Sequence, residues 1–341
     1  MALLLGILIF SFTVHALAIV PFISYLYNLK FYKKKSAIAA SKKDEASKHI
    51  RSKAKTPEGG GLLILVLVSL LFGIIVPILK VAGIEITHVY PLNEEINVIF
   101  FTFITFGLLG LYDDVVGFFE LDRQHGYSGL RTSYKFLIQI VLGLTIGTLL
   151  NVNLGIDIVN VPFFGVVSFG SWFIVLAAFL VVVFANSVNI TDGMDGLAGG
   201  LLMISLFGFL LLSASILDVP LSIFIALLLG GLMAFLYFNV YPARIFMGDV
   251  GALAFGATFA TVGLLTGKVF ALLVVGSPFL INGFSSVLQI AWVKLFGKRI
   301  LPIAPIHYWL LKKGWSEPKI VQRAWLINIM LVVLGLWLAL S

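Results

Sequence analysis

The chain has 341 residues, 60% of them hydrophobic and only 11% charged, with a mean hydropathy of +1.09. No water-soluble surface can be covered from that composition, so the bilayer is the solvent the fold must satisfy. The absence of cysteine excludes disulfides, thiolate metal sites and cysteine nucleophiles, and the formal charge of +7 is the one expected of a membrane protein with basic loops on one side, not of a nucleic-acid partner.

In chain order, ten apolar stretches are long enough, or nearly so, to cross a hydrocarbon core of roughly 30 Å as helices. They fall near residues 2–29, 61–79, 96–112, 134–151, 171–188, 197–216, 219–239, 250–266, 269–293 and 321–340. The first begins at Met1 without a charged n-region or a small-residue cleavage site, and is expected to be retained as a span. No repeat, soluble domain or low-complexity linker interrupts the series. Residues 1–341 are therefore expected to form one all-α, polytopic membrane domain.

The spacing of the spans sorts the charges. Residues on the side reached after spans one, three, five, seven and nine include 21 of the 23 Lys and Arg, against only Lys80 and Lys268 on the other, while the acids divide 11 to 5. The first side is expected to be cytoplasmic, with both termini outside. The clustered polar residues lie on that side too: Asp113 and Asp114 in GLYDDVVG, Asn186, Asn189, Asp192 and Asp195 in NSVNITDGMDGLAGG, Asp249 in FMGDVGALAFG, and His307 in PIAPIHYWLLKKGW. The opposite segments hold scattered acids such as Glu94 and Glu95.

Each cluster has a bland explanation. Asp249 and Asp192 each precede an apolar run and could cap a helix through a carboxylate oxygen. Asp113 and Asp114 could be a solvated pair after span three, although acids oppose the dipole at a helix C-terminus and adjacent carboxylates repel. Five carboxylates at the membrane edge on one side instead suggest a shared cation, because ionisable groups near hydrocarbon are costly unless paired or hydrated. Carboxylate and amide oxygens without clustered histidine favour Mg²⁺, Mn²⁺ or Ca²⁺ over zinc, and Mg²⁺ typically completes its shell with water and substrate phosphate. The segment KAKTPEGGGLL fits phosphate as well. Gly59, Gly60 and Gly61 open span two just after Lys53 and Lys55, so exposed N–H groups at a helix start could cradle an anion, or the glycines could be a plain hinge.

Taken together, six segments resemble the polyprenyl-phosphate N-acetylhexosamine-1-phosphate transferase superfamily, nearest to its phospho-N-acetylmuramoyl-pentapeptide transferase branch. They are TPEGGG from Thr56, DDVVG from Asp113, GLRTSYKFLIQ from Gly129, NSVNITDGMDGLAGG from Asn186, FNVYPARIFMGDVGALAFG from Phe238, and GKRILPIAPIHYWLLKKGWSEPKIVQRAW from Gly297. Each is weak alone; their order and spacing from Lys53 to Trp325 make the set specific.

The resemblance implies ten transmembrane helices with an active-site cleft on the cytoplasmic face of a bacterial inner membrane. It also implies transfer of phospho-N-acetylmuramoyl-pentapeptide from UDP to undecaprenyl phosphate, giving lipid I and UMP. Asp113 and Asp114 match the family's paired aspartates, of which one would position or deprotonate the lipid phosphate, and Asp249 matches the Mg²⁺ ligand. His307 matches the leading catalytic histidine of the C-terminal loop. Lys53, Thr56, Lys135, Asn186, Asn189, Asp192, Gly193 and Asp195 match substrate-binding positions, and the family also allows a homodimer. The sequence departs from the pattern after His307, where Tyr308, Trp309, Leu310 and Leu311 replace two further histidines, an aromatic and a glutamate. Asn282 stands for a usual glutamate, Gly59 for a methionine and Ala252 for a serine. A sister N-acetylglucosamine-1-phosphate transferase, a membrane transporter and a catalytically silent scaffold are the competing readings; PIAPIH and KGWSEP favour the muramoyl branch.

Overall fold

The computed structural model of the protein describes residues 1–29, 56–119 and 130–341. Among the described residues there are twelve α-helices: α1 (Ala2–Asn28), α2 (Gly60–Val81), α3 (Leu92–Phe119), α4 (Thr132–Thr148), α5 (Trp172–Thr191), α6 (Leu197–Ser215), α7 (Val219–Asn239), α8 (Gly248–Leu265), α9 (Val269–Val275), α10 (Ser277–Phe296), α11 (Ile306–Lys312) and α12 (Glu317–Leu340). Ten of them are long and apolar enough to cross a membrane, α4 continuing through a π-turn to Asn153. This is a multi-pass helical membrane protein, as the hydropathy pattern predicts.

Three features differ from that pattern. Span three is extended at its C-terminal end, so Asp113 and Asp114 sit inside α3 instead of following it, and both are buried. Span nine is broken at Gly276 into α9 and α10, where Pro278 lacks the N–H that would continue the ladder and Phe184 packs against the glycine. Between α4 and α5 lies an antiparallel hairpin, β1 (Ile158–Val161) with β2 (Gly165–Ser168), in the register Ile158 to Ser168.

The core sits on α7 and α8. Along α7 apolar residues surround the helix on every face, as in a helix enclosed by others. Phe224 of α7 meets Phe103 of α3 edge-on at 5.3 Å, and Phe259 of α8 meets Phe184 and Phe209 of α5 and α6 at 5.4 and 5.5 Å. By contrast α10 and α12 leave most of their surface outside the protein interior.

Candidate active site

The site starts from the contact of α3 with α8. A Cβ on Gly110 would collide with the Asp249 carbonyl, so the glycine lets α3 lie directly on the first turn of α8. That approach carries Asp114 under the end of α8: its Oδ1 accepts the Asp249 N–H at 3.1 Å and its Oδ2 the Val250 N–H at 3.0 Å. The unpaired N–H groups that open a helix are thus met by a carboxylate from another helix. Met247 occupies the N-cap position and makes no side-chain cap bond. The capping role that sequence offers to Asp249 therefore belongs to Asp114, and the Asp249 carboxylate is engaged elsewhere.

That carboxylate meets Lys135. The ammonium of Lys135 stands 2.7 Å from Asp249 Oδ2 and 2.8 Å from Asp113 Oδ2, with side-chain exposures of only 15%, 16% and 8% for Lys135, Asp249 and Asp113. Asp113 Oδ1 also accepts the Leu130 N–H at 2.6 Å. Two carboxylates from α3 and α8 thus converge on one cationic group from α4. One turn along α4, Gln139 accepts the Asn186 amide at 2.6 Å, which ties α5 to the same face.

At the end of α5, Asn189 lies in the last turn and Asp192 is the C-cap, both half-buried. Asp192 therefore closes α5 and does not cap α6, whose N-cap is Gly196. The loop from Asp192 to Gly196 is held from several elements. Asp195 Oδ2 accepts the Ala243 N–H at 2.9 Å, and its own N–H donates to Glu317 Oε1 at 2.6 Å. Gly196 N–H donates to Asn239 Oδ1 at 3.1 Å, and Trp325 Nε1 donates to the Gly196 carbonyl at 3.2 Å. Tyr308 donates its hydroxyl to the Gly193 carbonyl at 3.0 Å. Burial first, then Glu317, Asp192 and Asp195, push that phenol up to about 12.

His307 is buried beside Gly193, whose Cβ, if it had one, would lie 2.8 Å from Nε2. Its Nδ1 lies 3.0 Å from Asn282 Oδ1, so with the amide oxygen as acceptor Nδ1 carries the proton. The residue that replaces a glutamate in the sequence pattern is thus the partner of the histidine. Gly256, two turns into α8, packs against Phe184, Ala185 and Val188 near the end of α5. The two clusters therefore share one end of the bundle and about the same depth.

The glycine-rich segment does not form the anion cradle that its sequence suggests. The N–H groups of Gly59 and Gly60 donate to the Phe246 carbonyl, and that of Gly61 to the Met247 carbonyl, at 2.9 to 3.2 Å. The Phe246 N–H returns to the Pro57 carbonyl, and Glu58 pairs with Phe246 in a parallel bridge. Gly61 lies so close to Gly251 that a side chain on either has no room. The segment fastens the start of α2 to the start of α8. Thr56 sits half-buried just ahead of it, and Lys53 lies outside the described residues.

Sequence reasoning missed Gln139, Asn239, Glu317 and Trp325, which hold the site without standing in a polar cluster of their own. Glu317 had one local signal, an acid in the first turn of the last helix beside Pro318.

Residues 96–267, which span the acid–lysine centre from Asp113 to Asp249, match the family model described as glycosyl transferase family 4, which makes the ten-span bundle a membrane-embedded transferase. Phospho-N-acetylmuramoyl-pentapeptide-transferase of Caldanaerobacter subterraneus subsp. tengcongensis is 36% identical over 323 residues, covering 94% of this chain and 93% of the relative. The enzymes of that name from Pelagibacter ubique and Staphylococcus aureus are 33% and 34% identical, covering 90% and 89% of this chain and 86% and 92% of their own lengths. The chain belongs to the phospho-N-acetylmuramoyl-pentapeptide-transferase family.

Proposed function

We infer that this protein transfers phospho-N-acetylmuramoyl-pentapeptide from UDP to undecaprenyl phosphate, forming lipid I and UMP in peptidoglycan synthesis. The observation that supports the chemistry is the convergence of Asp113 and Asp249 on a single cationic centre, with Asp114 fixing the backbone of Asp249. Phosphoryl transfer needs alignment and charge neutralisation more than covalent help from the protein, and this arrangement provides fixed charge in a nearly dry setting.

The donor set suits Mg²⁺. Among the described residues no group of three or more acids or histidines comes together, which matches an ion that takes one or two carboxylates and fills its shell with water and phosphate. Asp249 would be its principal ligand, with Asp113 facing the same point. When bound, the ion supplies neutralisation of the pyrophosphate and of the departing UMP. Lys135, already set between the two carboxylates, adds a second positive charge for the phosphates. A base to deprotonate the attacking lipid phosphate is not needed near neutrality, where a monoester with a second pKa of about 6 is mostly a dianion.

The loop from Asp192 to Asp195 would form the nucleotide pocket, with His307 beside Gly193 and Asn186 bonded to Gln139, one α4 turn from Lys135. For the lipid, a cavity of about 320 Å³ between α10 and the segment before α11 is lined by Ile290, Val293, Ile303 and Ala304 together with Ser286, Gln289 and Arg299. An apolar side beside a guanidinium and two polar side chains would suit a prenyl chain ending in phosphate. The charge asymmetry supports a cytoplasmic position for this end of the bundle, in a bacterial inner membrane.

The test is purified protein with Mg²⁺, undecaprenyl phosphate and a panel of UDP-sugars, scored for UMP release. The muramoyl-pentapeptide substrate is expected to react fastest. UMP release from UDP-N-acetylglucosamine alone would move the assignment to the sister transferase, and none from any UDP-sugar would end the enzymatic reading.

A further inference from the structure

Helix α10 leaves most of its surface outside the protein interior, yet one stripe along it is polar: Asn282, Ser285 and Gln289, whose spacing puts them on one face. That face carries the segment leading into α11. Gln289 is bonded twice to Leu301, its Oε1 accepting the N–H at 2.9 Å and its Nε2 donating to the carbonyl at 3.1 Å. Ser285 Oγ accepts the Ile306 N–H at 3.1 Å. Next along the stripe, Asn282 meets the side chain of His307 itself. Ser285 and Gln289 thus hold backbone, whereas Asn282 holds a ring that can exchange a proton.

The orientation of the Asn282 amide is fixed from its other end. Its Nδ2 donates to the Pro278 carbonyl at 3.0 Å, one turn back along α10, so Oδ1 is the atom turned to His307 Nδ1, 3.0 Å away. An amide oxygen only accepts, and the hydrogen between them therefore belongs to Nδ1. Both side chains are buried, and a Cβ on the neighbouring Gly283 would collide with Ser187 of α5, so α10 is seated firmly at this point. The helix brings no charge of its own to the contact, since its one titratable side chain, Lys294, stands in its last turn.

The other ring nitrogen faces the loop. A Cβ on Gly193 would lie 2.8 Å from His307 Nε2 and 2.9 Å from the Tyr308 hydroxyl, so the glycine leaves room for both. The Tyr308 ring stands 4.4 Å from the imidazole, centre to centre, and its hydroxyl donates to the Gly193 carbonyl. Of the acids that act on Tyr308, Asp195 and Glu317 accept the Ala243 and Asp195 N–H groups, and Asp192 closes α5.

We propose that Asn282 is a positioning residue of the transferase: it fixes a proton on His307 Nδ1, so that any proton His307 exchanges passes through Nε2, at the loop beside Gly193. Imidazole held in this way and imidazolium both carry hydrogen on Nδ1, and they differ only at Nε2. A glutamate, the residue usual at this place in the family pattern, would orient the ring equally well but add a negative charge; the amide orients it without one. The inference rests on His307 standing in the transferase site, as proposed above.

The experiment uses the full-length protein in lipid nanodiscs, with the histidine nitrogens isotope-labelled and followed by NMR from acidic to alkaline pH. The chain has five histidines, and the signals of His307 are those lost in His307→Gln. In the parent, Nδ1 is expected to stay protonated throughout, with any change confined to Nε2. In Asn282→Leu, which offers no acceptor, the neutral ring should shift toward the form protonated on Nε2, and kcat for UMP release should fall by about tenfold or more, with a smaller change in KM for the UDP-sugar. Asn282→Asp, which keeps an oxygen for Nδ1, should hold the tautomer and recover most of kcat. Ser285→Ala loosens the same segment without touching the ring and should leave the Nδ1 signal in place. A parent in which Nδ1 loses its proton overturns the proposal without any variant. Asn282→Leu with normal kcat, or with kcat lost and Nδ1 still protonated, overturns it as well. A parent that releases UMP from no UDP-sugar instead ends the transferase reading and the role in turnover with it, while the spectra still decide which nitrogen holds the proton.

Discussion

Helices α8 and α12 are of similar apolar composition, yet the most hydrophobic window of α8 is 94% buried inside the protein and that of α12 only 22%. Both hold parts of the same site. From α8, enclosed by α2, α3 and α5, comes Asp249, whose backbone and charge are fixed by other helices. From α12, exposed along most of its length, come Glu317 and Trp325, which hold the loop at Asp195 and Gly196. The difference separates two places: the acid–lysine centre stands on the enclosed helix, and the groups that hold the loop from Asp192 to Gly196 stand on the exposed one.

Substitutions can break or sharpen that division. The largest effect is expected for Lys135→Met, which leaves Asp113 and Asp249 facing each other; losing one partner of a nearly buried ion pair costs about 3–5 kcal/mol. Thermal unfolding should drop markedly and UMP release should vanish. An equally stable variant would show that the centre is hydrated and its charges independent.

Asp249→Asn comes next. It keeps shape but removes charge, so UMP release across a Mg²⁺ titration should fall by about 10²-fold or more, while unfolding should shift less than for Lys135→Met, because Lys135 keeps Asp113 as its partner. Near-normal turnover at ordinary Mg²⁺ would remove Asp249 from the centre.

Asp114→Ala tests whether the second aspartate acts through the first. Loss of a cap costs about 1–2 kcal/mol, and turnover should fall because Asp249 is displaced. Asp114→Asn, which retains one acceptor, should restore part of both; full stability with no turnover would instead assign Asp114 a direct role.

On the rim, Glu317→Ala leaves the buried Asp195 N–H unpaired at a cost of about 1–3 kcal/mol. KM for the UDP-sugar should rise severalfold with kcat nearly kept. The smallest effect belongs to Tyr308→Phe, the loss of one hydrogen bond worth about 0.5–1.5 kcal/mol. Because the phenol is held up to about 12, the folded protein binds its proton more tightly than the unfolded chain only above the ordinary tyrosine range near pH 10. The pH profile below that range should not move, and a shift near neutrality would contradict the assigned environment.

Much of this was legible in the sequence. Hydropathy located all ten spans, because a helix facing lipid and one facing protein are equally apolar; for the same reason it could not tell central α8 from peripheral α12. The clustered aspartates were visible as costly charges at a membrane edge. Partners were not. The N–H groups of Gly59 to Gly61 looked free because nothing nearby in the chain accepts them, and their acceptors, Phe246 and Met247, lie far along it. Asp113 and Asp114 looked alike as neighbours, yet on a helix adjacent residues point about 100° apart, so one turns to Lys135 and the other to the start of α8. Gln139 and Glu317 belong to no polar cluster and are recognisable only from what they touch.

The clasp of α12 on the Asp195–Gly196 loop also bears on how the protein is made. Glu317 and Trp325 leave the ribosome after every aspartate, the lysine and the histidine of the site have already been synthesised. A nascent chain with nine spans inserted would hold the charged centre but leave the Asp195 N–H and the Gly196 carbonyl without these partners. Closure of the loop from Asp192 to Gly196 would then await insertion of the tenth helix, and prematurely terminated chains are expected to enter the membrane without acquiring activity.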